Sequence, residues 1–128
     1  MRKKIGSGAP WEDEVGYSRA IRVGNMVEVA GTTAMDGNEI VGVGDAYAQA
    51  KFIFEKIERA LIEMGASMED VVRTRMYVTN IDEWEAIGKA HGAFFKSIKP
   101  VATMVEVSRL IHPDLKVEVE VSAILLSE

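Results

Sequence analysis

One stretch constrains the fold of this chain more than any other, an amphipathic helical pattern between Asp45 and Gly65. Its apolar residues recur every three or four positions, which places them on one face of a helix; they are Tyr47, Ala50, Phe54, Ile57, Leu61 and Met64. Asp45 is a suitable N-cap residue, and Gly65 stands just after the last apolar position, where glycine is favoured. The pattern predicts a long helix with one face in the core.

The segments around this helix show the two-residue alternation that is typical of strands. Gly24-Asn25 separates two such segments and predicts a tight hairpin. A second helix is expected to begin at Asp82, with Glu85 completing a capping box, and to end at Pro100. The predicted strands span residues 19–23, 26–30, 40–43, 71–79, 101–108 and 115–126.

This order of elements predicts an α+β fold. Each helix connects strands that are far enough apart for a crossover onto one sheet. We therefore expect a two-layer sandwich in which two helices cover one face of a mixed sheet. The length of 128 residues fits one domain spanning residues 1–128, with residues 1–15 as a loop-like N-terminal segment.

The second face of the sheet is predicted to be polar. In residues 71–79 the apolar positions Val72, Thr74, Met76 and Val78 alternate with Arg73, Arg75, Tyr77 and Thr79. In the last strand the polar positions are Lys116, Glu118, Glu120 and Ser122. Such a face is either solvated, as in many antiparallel sheets, or an interface that holds a ligand site.

Composition narrows the available chemistry. The chain has no cysteine and only two histidines, so thiol nucleophiles, disulfides and His-rich metal centres are excluded, and we expect neither a metal nor a cofactor. The net charge of −5 argues against nucleic acid as a partner. We read no signal peptide and no membrane span, which predicts a cytoplasmic protein that does not bind membranes.

Several short motifs together resemble those of the RidA/YjgF family. Residues 16–21 read GYSRAI, which is similar to the PYSQA motif that opens the family's pattern. The resemblance continues to the C-terminus in matching order and spacing; the further matches lie at residues 23–25, 29–31, 70–74, 77–79, 94–95, 99–100, 105–107 and 118–120.

The resemblance implies a chorismate-mutase-like fold and a homotrimer with ligand clefts between neighbouring subunits. The polar sheet face would then be an interface. Active members hydrolyse enamines and imines to 2-oxo acids and ammonia, so the resemblance implies a hydrolase similar to 2-iminobutanoate/2-iminopropanoate deaminases. In such enzymes an arginine in a Pro-x-Arg-Ser motif holds the substrate carboxylate, and a glutamate near the C-terminus assists the water or proton.

This chain departs from that pattern at the anchor. Ala102 stands at the arginine position, followed by Thr103, and alanine cannot hold a carboxylate. Tyr17, Gly31 and Glu120 are retained at matching positions. The resemblance thus implies a cleft in which Tyr17, Gly31, Ala102 and Thr103 contact a small carboxylate or imine metabolite, with Glu120 as the candidate catalytic residue.

Two questions stay open at this level. Arg75 is either a relocated anchor for the ligand or the ion-pair partner of a glutamate such as Glu120, and Arg73 and Arg19 are weaker candidates for the anchor. His91, on the apolar stripe of the second helix, is interpreted as a residue at the edge of the core. The function is either hydrolysis of imines, with activity altered or lost through Ala102, or a non-catalytic role as a metabolite-binding or protein-interaction trimer.

Overall fold

A computed structural model describes residues 2–126 and shows a six-stranded sheet in the order β1-β2-β3-β8-β6-β7. The strands of this sheet are β1 (Arg2–Ile5), β2 (Ala20–Val23), β3 (Met26–Thr32), β6 (Val71–Val78), β7 (Val101–Glu106) and β8 (Val117–Ile124). A separate small hairpin consists of β4 (Met35–Asp36) and β5 (Glu39–Ile40). It takes the place of the strand expected at residues 40–43.

Two helices, α1 (Ala46–Glu63) and α2 (Trp84–Phe95), form the second layer. They pack against each other, and α1 packs on β3 and β8. The side chains of the sheet that face them are buried, and Val117, Val119 and Val121 of β8 lie at the centre of that core. The sheet is mixed, because β6 pairs with β7 in parallel and with β8 antiparallel. The predicted α+β sandwich is confirmed.

The ends of α1 follow the local sequence signals. The Asp45 carboxylate accepts a hydrogen bond from the Ala48 amide at 3.0 Å, as an N-cap residue should. At the other end Gly65 has a φ of 81°, and the Ala66 amide donates to the Leu61 carbonyl at 2.8 Å. Glycine adopts this left-handed conformation without the steric cost that a Cβ would add.

The N-terminal segment differs from the expectation for residues 1–15. Arg2–Ile5 forms a strand that pairs antiparallel with β2, and Glu12–Gly16 forms a short π-helical turn. Because β2 is otherwise an edge, its free backbone groups provide hydrogen-bond partners that composition alone does not reveal. Basic side chains are well tolerated on such an outermost strand.

The start of the second helix is also different. A 3₁₀ turn, Ile81–Glu83, comes first, and the Asn80 side chain accepts a hydrogen bond from the Asp82 amide at 3.0 Å. Asn80 thus caps the 3₁₀ turn. The helix α2 begins only at Trp84, which is 55% exposed, and its N-cap residue is Glu83 and not Asp82. The helix ends at Phe95, well before Pro100.

One strand position predicted to be buried faces solvent. Val72 is 42% exposed, whereas Val71 is buried. The pairing of β6 with β8 shifts register between Val71 and Arg73, and such an irregularity moves the side chains before it to the opposite face. From Arg73 onward the predicted alternation holds. Within residues 2–126, no helix has the length and apolarity needed to cross a membrane.

Candidate functional site

A polar network occupies the sheet face that the helices leave open. Arg75 of β6 stands opposite Glu120 of β8, and their side chains approach to 3.8 Å. The Tyr77 hydroxyl donates a hydrogen bond to Glu120 Oε1 at 2.8 Å, and this bond raises the pKa of Tyr77. Arg75 thus has the carboxylate neighbour that the ion-pair interpretation requires, and Glu120 already accepts from one side chain and pairs with another.

A shallow cleft on the same face brings Tyr17 and Glu120 together. Its volume is about 400 Å³, and the strand ends of β2 and β3 form its floor. Tyr17 follows the π-helical turn and is exposed at the mouth. The residues that line the cleft are Lys4, Gly16, Tyr17, Ser18, Ala20, Ile21, Glu28, Val29, Ala30 and Glu120. Two of the predicted site residues therefore share one cavity.

Gly31 lies at the end of this cleft, next to the lining residue Ala30. The β3–β8 pairing is irregular between Val29 and Thr32, and this irregularity brings the Gly31 backbone against the Glu118 side chain. A Cβ added at Gly31 would collide with the Glu118 carboxylate. The far end of the flexible Glu118 side chain thus occupies the space that a Cβ at position 31 would need.

Glu118 is one of three ionisable groups of this region with a shifted pKa, the others being Tyr77 and Lys56. Burial raises the pKa of Glu118, the Arg19 guanidinium lowers it, and the negative charge of Glu120 raises it further. A carboxyl group with a raised pKa is better matched to proton transfer near neutral pH than an ordinary one. Sequence reasoning chose Glu120 because it stands at the position that matches the family's C-terminal glutamate. The close approach of Glu118 to Gly31 is visible only with the irregular register of β3 and β8.

Ala102 and Thr103 lie elsewhere in the chain's own sheet. Thr103 pairs with Arg75 and so lies on the open face, whereas Ala102 pairs with buried Thr74 on the helix side of the edge strand β7. Three strand spacings of about 4.8 Å each separate β3 from β7, or about 14 Å in all. Within one chain, Ala102 and Gly31 are therefore too far apart to contact the same small ligand.

His91 is held by neighbouring side chains. Its Nε2 atom lies 2.9 Å from the Thr74 hydroxyl, and its ring packs edge-on against Phe54 at 5.6 Å between centroids. Burial lowers the pKa of His91, which favours the neutral ring. These contacts agree with a residue at the edge of the core. In the part of the chain that the structure describes, no three His, Asp or Glu side chains form a group suited to a metal ion.

Comparisons with known proteins show which family this chain is similar to. The sequence model of the family described as Endoribonuclease L-PSP matches residues 9–125. Among solved structures, the chain is similar to Rv2704 of Mycobacterium tuberculosis, a member of the YjgF/YER057c/UK114 family. The two are 45% identical with a TM-score of 0.88, over 98% of this chain and 100% of the other.

Two curated proteins are similar over most of their length. Protein SCO2049 of Streptomyces coelicolor is 40% identical over 121 residues, which is 94% of this chain and 90% of the relative. The 3-aminoacrylate deaminase RutC of Acinetobacter baylyi is 31% identical over 104 residues, which is 80% of this chain and 82% of the relative.

Proposed function

Since the chain belongs to the Endoribonuclease L-PSP family, which is the RidA/YjgF family, we propose that it is a homotrimeric hydrolase of small enamines and imines. Its ligand clefts lie between neighbouring subunits. Its activity on amino-acid-derived imines differs from that of arginine-bearing relatives because Ala102 cannot anchor a carboxylate. A deaminase activity is named for one relative at 31% identity, the RutC protein.

The observation that carries this proposal is the contact between Gly31 and Glu118 beside the cleft of Tyr17. It combines an accessible backbone, a half-buried carboxyl with a raised pKa and an aromatic side chain at the mouth. Small-molecule sites commonly have this character, with apolar walls and a few polar groups that converge on the ligand. Glu118 has the raised pKa that favours proton transfer, whereas Glu120 lines the cleft itself and is the alternative.

The chemistry needs only one group that moves protons. Water adds to the carbon of the C=N bond while the Glu118 carboxylate accepts a proton from that water. The protonated carboxyl passes this proton to nitrogen, which gives the neutral carbinolamine. The carboxylate then takes the hydroxyl proton of the carbinolamine and delivers it to nitrogen, so the C–N bond breaks as the C=O bond of the 2-oxo product forms and ammonia leaves. Atoms balance without an oxidant or reductant, since one water is consumed for each ammonia released.

The separation of Ala102 from Gly31 supports the trimer. A ligand that contacts both positions cannot do so within one sheet, because β7 lies at one edge and β3 three strands away. If β7 of one subunit lies against the open face of the next, position 102 of one chain meets Gly31 of its neighbour. Three-fold symmetry then produces three equivalent clefts.

Restoring the arginine tests the enzyme proposal. We expect Ala102→Arg to raise kcat/KM for 2-imino acids by about tenfold or more, because it adds a charge-assisted contact of about 1.5–3 kcal/mol to those that the cleft already makes with the carboxylate. The measurement is the release of 2-oxo acid from freshly generated 2-aminoacrylate, with Ala102→Met as a control of similar length and no charge. The proposal fails if wild type and Ala102→Arg, both folded and trimeric, are equally without turnover.

A second candidate is a non-catalytic trimer that binds a small metabolite or another protein. The occupation of Glu120 by Tyr77 and Arg75, together with Ala102 at the anchor position, favours it. A screen of 2-oxo acids by thermal shift separates the two candidates when it is combined with the turnover assay. Saturable binding without turnover, in wild type and in Ala102→Arg, would support the binding protein.

A further inference from the structure

We propose that Arg19 holds the carboxylate of the ligand in this chain, in place of the arginine absent at position 102. The inference rests on the proposed function, since it assigns the ligand class to the same cleft. That class is a small 2-imino or 2-oxo acid with a free carboxylate. The argument follows from where the Arg19 guanidinium lies and from which of its donors are unused.

The Arg19 side chain lies at the Gly31 end of the cleft. Its chain neighbours Ser18 and Ala20 both line the cavity, and its carbonyl accepts a hydrogen bond from the amide of Ala30. The guanidinium Nη2 donates to the Gly31 carbonyl at 2.6 Å in a part-buried position. The Gly31 carbonyl therefore holds the Arg19 guanidinium beside the cleft, although Arg19 is not itself a lining residue.

Within residues 2–126, most N–H donors of the Arg19 guanidinium have no acceptor. A guanidinium carries five N–H donors, and within residues 2–126 the Gly31 carbonyl is the one acceptor found for it. Its Nε is buried without a partner, and none of the salt bridges found among the described residues involves it. A part-buried cation with free donors is costly unless an anion approaches it.

Two other arginines of the sheet, Arg75 and Arg22, differ in this respect. Arg75 lies beside the Glu120 carboxylate. Arg22 donates to the carbonyls of Gly24 and Met64, both at 2.8 Å. These contacts give Arg75 and Arg22 a structural role. The single contact of Arg19 leaves most of its donors without an acceptor.

The surroundings of Arg19 add positive charge. Lys56 of α1 donates to the carbonyls of Thr33 and Met35, in the segment that follows Gly31. Burial lowers the pKa of Lys56, and the charges of Arg19 and Arg59 lower it further, which shows that these cations share one region. The Glu118 carboxylate lies near Arg19, and the Asp36 carboxylate lies near Lys56. An incoming carboxylate would relieve the repulsion between the cations.

Position 19 is also where the opening motif changes. The chain reads GYSRA where the resembling motif reads PYSQA, so an arginine stands in place of a glutamine. The chain thus lacks a cation at position 102 and carries one at position 19. With the carboxylate on Arg19, the C2 atom of a small 2-imino acid would lie toward Glu118, the group proposed to move the proton.

Ligand binding by charge variants tests the inference without relying on turnover. We expect the trimer to bind pyruvate and 2-oxobutanoate, measured by NMR titration, and Arg19→Gln to weaken this binding by about tenfold or more. Arg19→Lys, which keeps the charge but loses the fork, should fall between them. Pyruvamide, which lacks the carboxylate, should bind weakly to wild type and equally to Arg19→Gln.

Arg75→Gln and Arg22→Gln are the matched controls and should leave the dissociation constants within about twofold. Thermal unfolding and sedimentation confirm that each variant is a folded trimer; if Arg19→Gln does not fold, Arg19→Lys and the pyruvamide comparison decide. The inference is overturned if wild type binds no 2-oxo acid, if Arg19→Gln or Arg19→Lys binds as well as wild type, or if Arg75→Gln alone abolishes binding.

The same variants separate this inference from the hydrolase proposal. Binding that depends on Arg19, without turnover of any imine, supports the anchor and contradicts the enzyme. Turnover of 2-imino acids with an unchanged KM in Arg19→Gln supports the enzyme and contradicts the anchor.

Discussion

Glu118 and Glu120 are two residues apart on one strand and face the same side of the sheet, yet their surroundings differ. Glu120 accepts a hydrogen bond from Tyr77 and pairs with Arg75. Glu118 lies against the Gly31 backbone, where burial raises its pKa. This difference in surroundings decides which of the two carboxyl groups is suited to proton transfer.

Replacement of Glu118 by glutamine should raise the stability of the fold and lower the activity. Because the folded state raises the pKa of Glu118, ionisation of this group costs stability as pH rises above the ordinary value of 4.5. Glu118→Gln should therefore raise the unfolding temperature at pH 7.5, with no gain once pH falls below the ordinary value. It should also lower imine turnover by about 100-fold or more.

The comparison variant is Glu120→Gln, measured in the same unfolding and turnover assays. We expect it to retain most activity, because the glutamine oxygen can still accept from Tyr77. A larger loss of turnover in Glu120→Gln than in Glu118→Gln would reassign the proton carrier to Glu120.

At the scale of elements, Gln49 joins α1 to two loops. Its side chain is fully buried and donates to the carbonyls of Gly42 and Asp114, and its oxygen accepts from the Lys116 amide at 2.8 Å. All three partners are backbone groups, and all three hydrogen bonds are part-buried. Gln49 therefore fixes the loop before α1 and the loop before β8 in one arrangement, close to the strand that carries both glutamates.

Gln49→Leu should destabilise the fold by about 2–4 kcal/mol, because it leaves buried backbone groups without partners. The measurement is the free energy of unfolding in urea. The matched control is Lys51→Leu, which also introduces leucine but on the exposed face of the same helix. It should change stability by less than about 0.5 kcal/mol. Equal effects of the two changes would show that the hydrogen bonds of Gln49 contribute little.

At the scale of the whole molecule, the edge strand β7 exposes apolar side chains that a neighbouring subunit could cover. Val101 and Val105 project from it on the open face and are 57% and 43% exposed in the single chain. β7 pairs on one side only, with β6, and an apolar edge with free backbone groups favours association. A trimer in which β7 lies against a neighbouring sheet would cover these valines.

Val105→Asp should dissociate the trimer, because it places a charge in the proposed interface. Sedimentation velocity should show a species near the 14.1 kDa of one chain, whereas wild type is expected to sediment at about three times that mass. Val43→Asp, at a position 60% exposed in the loop before α1, is the control and should stay trimeric. A monomeric wild type, or an unaltered trimer in Val105→Asp, would contradict this arrangement.

The sequence by itself determined the features that depend on near neighbours along the chain. The period of α1, its caps at Asp45 and Gly65, the turn at Gly24-Asn25 and the order of the main elements all follow from local rules, and the structure confirms them. Those rules act over one or two turns of chain, so the residues that set them lie within a short window.

Only the tertiary structure decided how distant segments meet. It paired Arg2–Ile5 with β2, brought Glu118 rather than Glu120 against Gly31, left Arg19 with unused donors and placed Ala102 three strands from Gly31. Each of these depends on strand order or on a register shift, and a shift of one residue changes every contact of a strand while leaving its sequence pattern the same.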